Sequence, residues 1–184
     1  MASSYLKSVI KQLQYYKSLG DKTLDQLTLA ELKTEFGINS NSIAIIVKHL
    51  HGNMLSRWTN FLTEDGEKEW RKRDEEFQDN FNTKQQLIEA WEQGWLCLFK
   101  AIKPLNNENL EQIIYIRNQG HTITEAINRQ TMHYAYHIGQ IVFIGKTIKE
   151  NNWQTLSIAK GESKSYNKLK FKAEKRRKHF TDDI

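Results

Sequence analysis

The stretch TEAINRQTMHYAYHIGQIVFIGKTIK, residues 124–149, decides the fold. Steps of three and four along it select Ala126, Gln130, His133, His137, Ile141, Ile144 and Ile148. Only an α-helix brings those positions to one face, so the stretch predicts a long helix with a buried stripe, capped by Thr124. Three further segments have the same character. Leu6, Val9, Ile10, Leu13 and Tyr16 form one stripe and predict a helix from about Ser4 to Leu19. Gly20-Asp21 reads as its stop, although Leu24 and Leu27 fall on the same stripe beyond it. Asn41 or Ser42 opens a second long helix, Ile43 to about Leu62, and Asn82 or Thr83 caps a third, Lys84 to Ile102, closed by Pro104.

The connections are less regular. Thr28, with Glu31 three residues on, is a capping box for a short helix from Leu29 to Phe36, ended by Gly37. The charged run EKEWRKRDEEFQDNF reads as an irregular link whose Trp70, Phe77 and Phe81 dock onto the core. Around Asn118-Gln119-Gly120, between Leu110 and Ile123, the pattern suggests two short β-like pieces, a hairpin-like lead-in to the last helix. Beyond Trp153 coil is expected. The natural packing for four long amphipathic segments is an all-α, antiparallel four-helix bundle over residues 1–163, followed by a basic tail, partly ordered, over residues 164–184.

Composition bounds the function classes. The 184 residues suffice for one domain with a core, and 39% apolar with 27% charged residues is a globular balance. One proline and 9 glycines favour long helices over a turn-rich β fold. No signal sequence or apolar run of about 20 residues is visible, and a lone Cys97 suits a reducing compartment, so a cytoplasmic protein without a membrane partner is expected. The net charge of +5 sits largely in KSYNKLKFKAEKRRKHFTDDI, from Lys164 onward. A solvated terminus explains that run, and no aromatic-interleaved basic groove elsewhere argues for nucleic acid.

The histidines carry the chemistry. His133 and His137, spaced i and i+4, share a helix face and can share one metal ion. They lie in a buried stripe that holds no carboxylate, where two imidazoles need a partner. Two core histidines bonded to backbone or tyrosine would be the plainer outcome. A third ligand must come from elsewhere: His121, His179, or one of His49 and His51, which face nearly opposite ways. His51 lies nearer the bulky stripe of Ile43, Ile46, Leu50, Met54, Trp58 and Phe61. His49 shares its side with Ile45 and the small or polar Ser42, Gly52, Asn53 and Ser56, which leave room for an ion, its water and a substrate. Periodicity alone leaves the choice open.

The pattern S-I-x-x-(I/L)-x-x-H-L at Ser42 to Leu50, followed by H-x-x-x-H-x-G-Q-I at His133 to Ile141, resembles the DinB/YfiT-like superfamily of metalloenzymes. GNMLSRWTNFLTEDGEKEWRKRDEEF, ITEAINRQTMHYAYHIGQIVFIGK and WQTLSIAKGESKSYN resemble an uncharacterised bacterial subfamily within it. The resemblance implies an up-down-down-up four-helix bundle, a homodimer, and metal ligands at His49, His133 and His137. It also implies the reaction class. Some characterised relatives are transferases using a small thiol such as bacillithiol or mycothiol, and others isomerise maleylpyruvate with thiol help.

Three neutral imidazoles leave open positions on an ion, the arrangement of a catalytic site. An all-nitrogen set suits zinc or nickel first, with cobalt, iron and manganese also compatible. The expected function is therefore metal-dependent S-transfer from a thiol to small electrophiles, the alternative a non-catalytic metal- or ligand-binding stress-response protein. Arg57, Asn53 and Gln140 are the candidate catalytic side chains. Arg57 would meet a substrate carboxylate, or else pair with the run Asp74 to Glu76; Gln140 reads as a helix contact. Core packing is expected of Tyr134 and Tyr136, and Cys97, in apolar WLCLF, reads as inert. Apolar stripes on both sides of the second helix point toward dimerisation.

Overall fold

A computed structural model describes residues 4–183. It is mostly helical with one small sheet. Four long helices, α1 (Ser4–Asp25), α3 (Ile43–Trp58), α4 (Lys84–Ile102) and α5 (Ile123–Lys149), carry the core. Between the first two lies the short α2 (Leu29–Leu32), and α6 (Ser163–Lys170) follows in the basic end. Helix α3 packs on α4 and α5, and α1 packs on α5 and α4. Leu6, Leu13, Leu50, Met54, Leu87, Trp91, Trp95, Tyr134 and Ile138 fill the space between them. No helix among the described residues is long and apolar enough to cross a membrane.

Helix α1 does not stop at Gly20. The glycine is a packing residue, because a Cβ there would sit 2.4 Å from Cζ2 of Trp91. Helix α1 can therefore close on α4 and continue to bury Leu24. The Thr28–Glu31 capping box forms, but the helix it opens ends at Leu32 rather than Phe36. Ser42 caps α3, its hydroxyl accepting from the Ile45 N–H. The helix ends at Trp58 rather than Leu62, since Asn60 adopts a left-handed φ of 48°. Thr83 caps α4.

Strands β1 (Ile113–Ile116) and β2 (Gln119–Thr122) pair antiparallel, with Ile113 opposite Thr122 and Ile116 opposite Gln119. Arg117 and Asn118 form the turn, both left-handed at φ 56° and 59°, as a two-residue hairpin loop requires. The Asp65 carboxylate accepts both turn N–H groups at 2.8 Å. The cap of α5 is thus Thr122, two residues earlier than expected. A capping box with Glu125 secures it, and the Thr122 N–H donates to that carboxylate at 2.8 Å.

Two expectations about the charged segments are corrected. In the link between α3 and α4, Phe81 is buried but Trp70 and Phe77 are exposed. What docks instead is charge: Lys68 and Glu76 are buried, and the Arg71 side chain is 2% exposed. The basic end is not plain coil. It holds the exposed α6, and its last described residues return to α1, where Ser8 meets His179 Nε2 at 3.1 Å and Lys11 pairs with Asp182.

The glycines give a test of the packing. Gly20→Ala should lower stability by about 1–3 kcal/mol through overpacking against Trp91. Gly139→Ala, where a Cβ meets nothing within 4 Å, should instead raise it by about 0.5–1 kcal/mol. Urea midpoints of the two variants against wild type decide the matter; equal midpoints would refute the close approach of α1 and α4.

Candidate metal centre

Helix α3 brings His49, and successive turns of α5 bring His133 and His137, to one point. The three can offer one ligand atom each, all within 4.8 Å of one another. The ring centroids of His49 and His133 are 5.3 Å apart, of His49 and His137 5.0 Å, and of His133 and His137 4.7 Å. Between Nε2 of His49 and Nε2 of His133 the distance is 3.3 Å. Two imidazole nitrogens bound to one tetrahedral ion at about 2.1 Å would stand about 3.4 Å apart. Spacing and donor set therefore fit a divalent ion.

The outer contacts set the tautomers. Nδ1 of His49 donates to Oε2 of Glu76 at 2.9 Å, and Nδ1 of His137 donates to Oε1 of Gln140 at 2.7 Å. Each bond fixes its proton on Nδ1 and leaves the Nε2 lone pair free, the arrangement metal-ligating imidazoles adopt. His133 has no such support, for its buried Nδ1 has no partner. Burial, reinforced by the neighbouring His137 and His49, pushes the His133 pKa down to about 3. Burial also lowers that of His137. Both rings are neutral near pH 7 and able to ligate.

Glu76 is the residue that sequence reasoning missed. Burial alone would raise its pKa, but hydrogen bonds from His49 and Arg71 outweigh it and hold the carboxyl below its usual range. Arg71 grips it twice, Nε to Oε1 at 2.7 Å and Nη2 to Oε2 at 3.0 Å. The carboxylate reaches α3 because residue 52 is glycine: a Cβ there would lie 2.3 Å from Oε1. Lys48 fastens the same 3-10 turn, Arg73–Phe77, by donating to the Glu75 and Gln78 carbonyls at 2.6 and 2.7 Å. The small residues beside His49 therefore make room for a charged loop. Ser56 likewise donates to the Gly66 carbonyl at 2.8 Å.

The other expected side chains fall as follows. His51 lies on the side of α3 that faces α4, where Gly94 approaches its backbone, and takes no part in the cluster. His121 lies in β2 and His179 rests on α1. Arg57 does not pair with Asp74 to Glu76. Its Nη1 donates to the Gly66 carbonyl and to Oε2 of Glu67 at 3.0 Å. Asn53 accepts from the Tyr134 hydroxyl at 3.2 Å, and that hydroxyl accepts from Nε1 of Trp58 at 2.9 Å, a buried chain joining α3 to α5 behind the histidines. Tyr136, expected to pack in the core, is 63% exposed. Cys97 is partly buried beside Thr59 and belongs to a different cavity.

A cavity of about 320 Å³ opens onto the cluster. His49, His133 and His137 line it with Asn53, Gln130 and Arg57. Gln140 is not part of its wall and acts through His137.

The family model described as "Protein of unknown function (DUF1572)" matches residues 1–162. No curated protein and no solved structure matches the chain.

Glu76→Gln should weaken zinc binding by about 10–100-fold, the usual effect of removing an outer-shell carboxylate. Gly52→Ala, which displaces that carboxylate without touching a ligand, should act in the same direction. Competition with a chromogenic chelator measures both. Wild-type affinity in the two variants would remove Glu76 from the site.

Proposed function

We propose that this chain, which belongs to the DUF1572 family of proteins of unknown function, is a divalent-metal-dependent enzyme of the DinB-like superfamily. In this reading it transfers a small thiol to small electrophiles, and its helices form an up-down-down-up four-helix bundle of the DinB/YfiT type. One observation carries the reading. Three histidines from two helices converge, two of them with Nδ1 already committed, to Glu76 and to Gln140.

His49, His133 and His137 would hold the ion, with zinc or nickel the first candidates. When bound it would supply Lewis acidity, lowering the pKa of a thiol or water brought beside it. The protein's own groups do the rest. Glu76 and Gln140 keep the Nδ1 protons in place and the rings in register. The Trp58–Tyr134–Asn53 chain holds α3 and α5 at a fixed separation, so the two sources of ligands cannot drift apart. The cavity beside the rings gives a substrate access, which a purely structural ion would not need.

A second reading, binding of an ion or ligand without turnover, is favoured by a different observation. No carboxylate, lysine or cysteine is among the residues lining the cavity, so none offers a general base besides the imidazoles themselves.

We also read the protein as a homodimer, but through α5 rather than the second long helix. Helix α3 is largely buried, whereas Met132, Tyr136 and Phe143 stand exposed along one side of α5 with the open Gly139 between them. That heptad-like spacing suits packing against a second copy of itself. Sedimentation should give twice the chain mass, falling to one chain mass in Phe143→Glu; a monomeric wild type would refute it.

For the metal, mass spectrometry of untagged protein should find about one ion per chain in wild type and His51→Ala, as one three-ligand site requires. His49→Ala and His133→Ala should lose it. Titrating a small thiol into the cobalt-loaded protein should produce a thiol-to-metal absorption band. Retention of the ion without that band would favour the binding reading, and an ion-free wild type after reloading would defeat both.

A further inference from the structure

The cavity beside the histidines is walled by guanidinium groups. Arg57, Arg71, Arg73, Arg117 and Arg129 all line it. They come from four separate parts of the chain: α3, the α3–α4 link, the hairpin turn and α5. Such convergence costs the fold self-repulsion among like charges and needs something to balance it.

The protein balances only part of it. Glu67 accepts from Arg57 at 3.0 Å and from Nε of Arg117 at 3.2 Å, and its other near neighbour, Arg71, is 3.7 Å away. Glu76 is committed to Arg71 and His49. Asp65, which accepts the Arg117 N–H at 2.8 Å, is the third carboxylate beside them, so five guanidinium charges against three carboxylates leave two positive charges around the space. Arg73 and Arg129, both exposed, have no carboxylate partner among the described residues. Arg129 lies one turn before His133 on α5, and Arg73 begins the 3-10 turn that carries Glu76. The two uncommitted cations are therefore attached to α5, which carries two of the histidines, and to the turn whose Glu76 holds the third.

Other walls are apolar or polar without charge. Ile45, Ile46 and Phe77 contribute hydrocarbon surface, which an inorganic anion would not use. Gln130, 4% exposed and lining the same space, leaves its Oε1 without a partner. A volume of about 320 Å³ is at the small end for organic ligands.

We propose that this cavity takes a small organic dianion. One anionic group is held toward the imidazoles, the second is gripped by Arg73 and Arg129, and a short apolar body lies between them on Ile45, Ile46 and Phe77. Guanidinium forks match carboxylate or phosphate oxygens in pairs, so two anionic ends rather than one account for arginines from so many directions. Arg57 and Arg71, whose hydrogen bonds go to Glu67, Glu76 and the Gly66 carbonyl, set the potential of the inner wall. The inference deepens the proposed function by naming the substrate class, and it rests on that reading only for where the reacting end lies.

The test compares succinate with butyrate, which share a four-carbon skeleton and differ in the second carboxylate. Calorimetric titration at matched ionic strength uses the full chain, both zinc-loaded and stripped with chelator. Succinate should bind at least tenfold more tightly than butyrate in the zinc-loaded protein and keep its preference, more weakly, in the stripped protein. The double variant Arg73→Gln/Arg129→Gln, altered only at exposed positions, should lose the preference while its zinc content stays at the wild-type level. A triple change in the basic tail, Lys175→Gln/Arg176→Gln/Arg177→Gln, should leave it intact. Equal binding of the two acids, or an unchanged preference in the Arg73/Arg129 variant, overturns the proposal. A protein that holds no zinc yet still prefers succinate defeats the metal reading alone; one that holds zinc without preference defeats the dianion alone.

Discussion

Everything near the histidines depends on one buried carboxylate staying ionised. Glu76 is 5% exposed, and a lone carboxylate at that depth would take up a proton instead. Arg71 prevents this with two hydrogen bonds, and His49 adds a third. The consequences spread outward. Residue 52 must lack a side chain, the 3-10 turn must be tied down by Lys48, and Glu67 must serve the guanidinium groups that Glu76 leaves over. The 25 residues between α3 and α4 are thus ordered by buried charge as well as by the apolar anchors Phe61 and Phe81. Arrangements of this kind hold together only when every member is present.

That distribution explains how much was legible beforehand. The four long helices follow from apolar periodicity, and their positions came through because a stripe of large residues leaves few ways to bury itself. The boundaries that moved were set by contacts periodicity cannot register. Gly20 resembles a stop until Trp91 is seen against it, and the end of α3 turns on the left-handed backbone at Asn60. The link was misread for a chemical reason. Aromatic residues were expected to be its anchors, but Trp70 and Phe77 stay in solvent while Arg71 and Glu76 go inside. Burial of a matched ion pair depends on its partner, which sequence spacing does not disclose.

The site was legible to the extent that it lies on helices. The i, i+4 spacing of His133 and His137 fixes their shared face wherever the helix sits. Choosing between His49 and His51 needed more than the wheel, which leaned toward the bulky stripe and so toward His51. That side of α3 faces α4, where Gly94 allows an approach close enough that a Cβ would lie 3.2 Å from the His51 Cα. The small residues beside His49 were a true signal with a different meaning, since they admit the Glu76 carboxylate. The arginines around the cavity were invisible as a group, because they are far apart in sequence and meet only when the hairpin docks through Gly66 on α3.

The pairing of α1 with α5 has a consequence in time. The Tyr5 hydroxyl donates to Asn128 at 2.7 Å across a sequence separation of 123 residues, so the first helix has no resident for its groove until the last long one exists. At a synthesis rate of roughly 5–20 residues per second, α1 emerges on the order of ten seconds before the segment that covers it. During that interval Leu6, Val9 and Leu13 face water or whatever escorts the nascent chain. His133 and His137 arrive with the same segment, and the centre assembles only once α5 has followed α3.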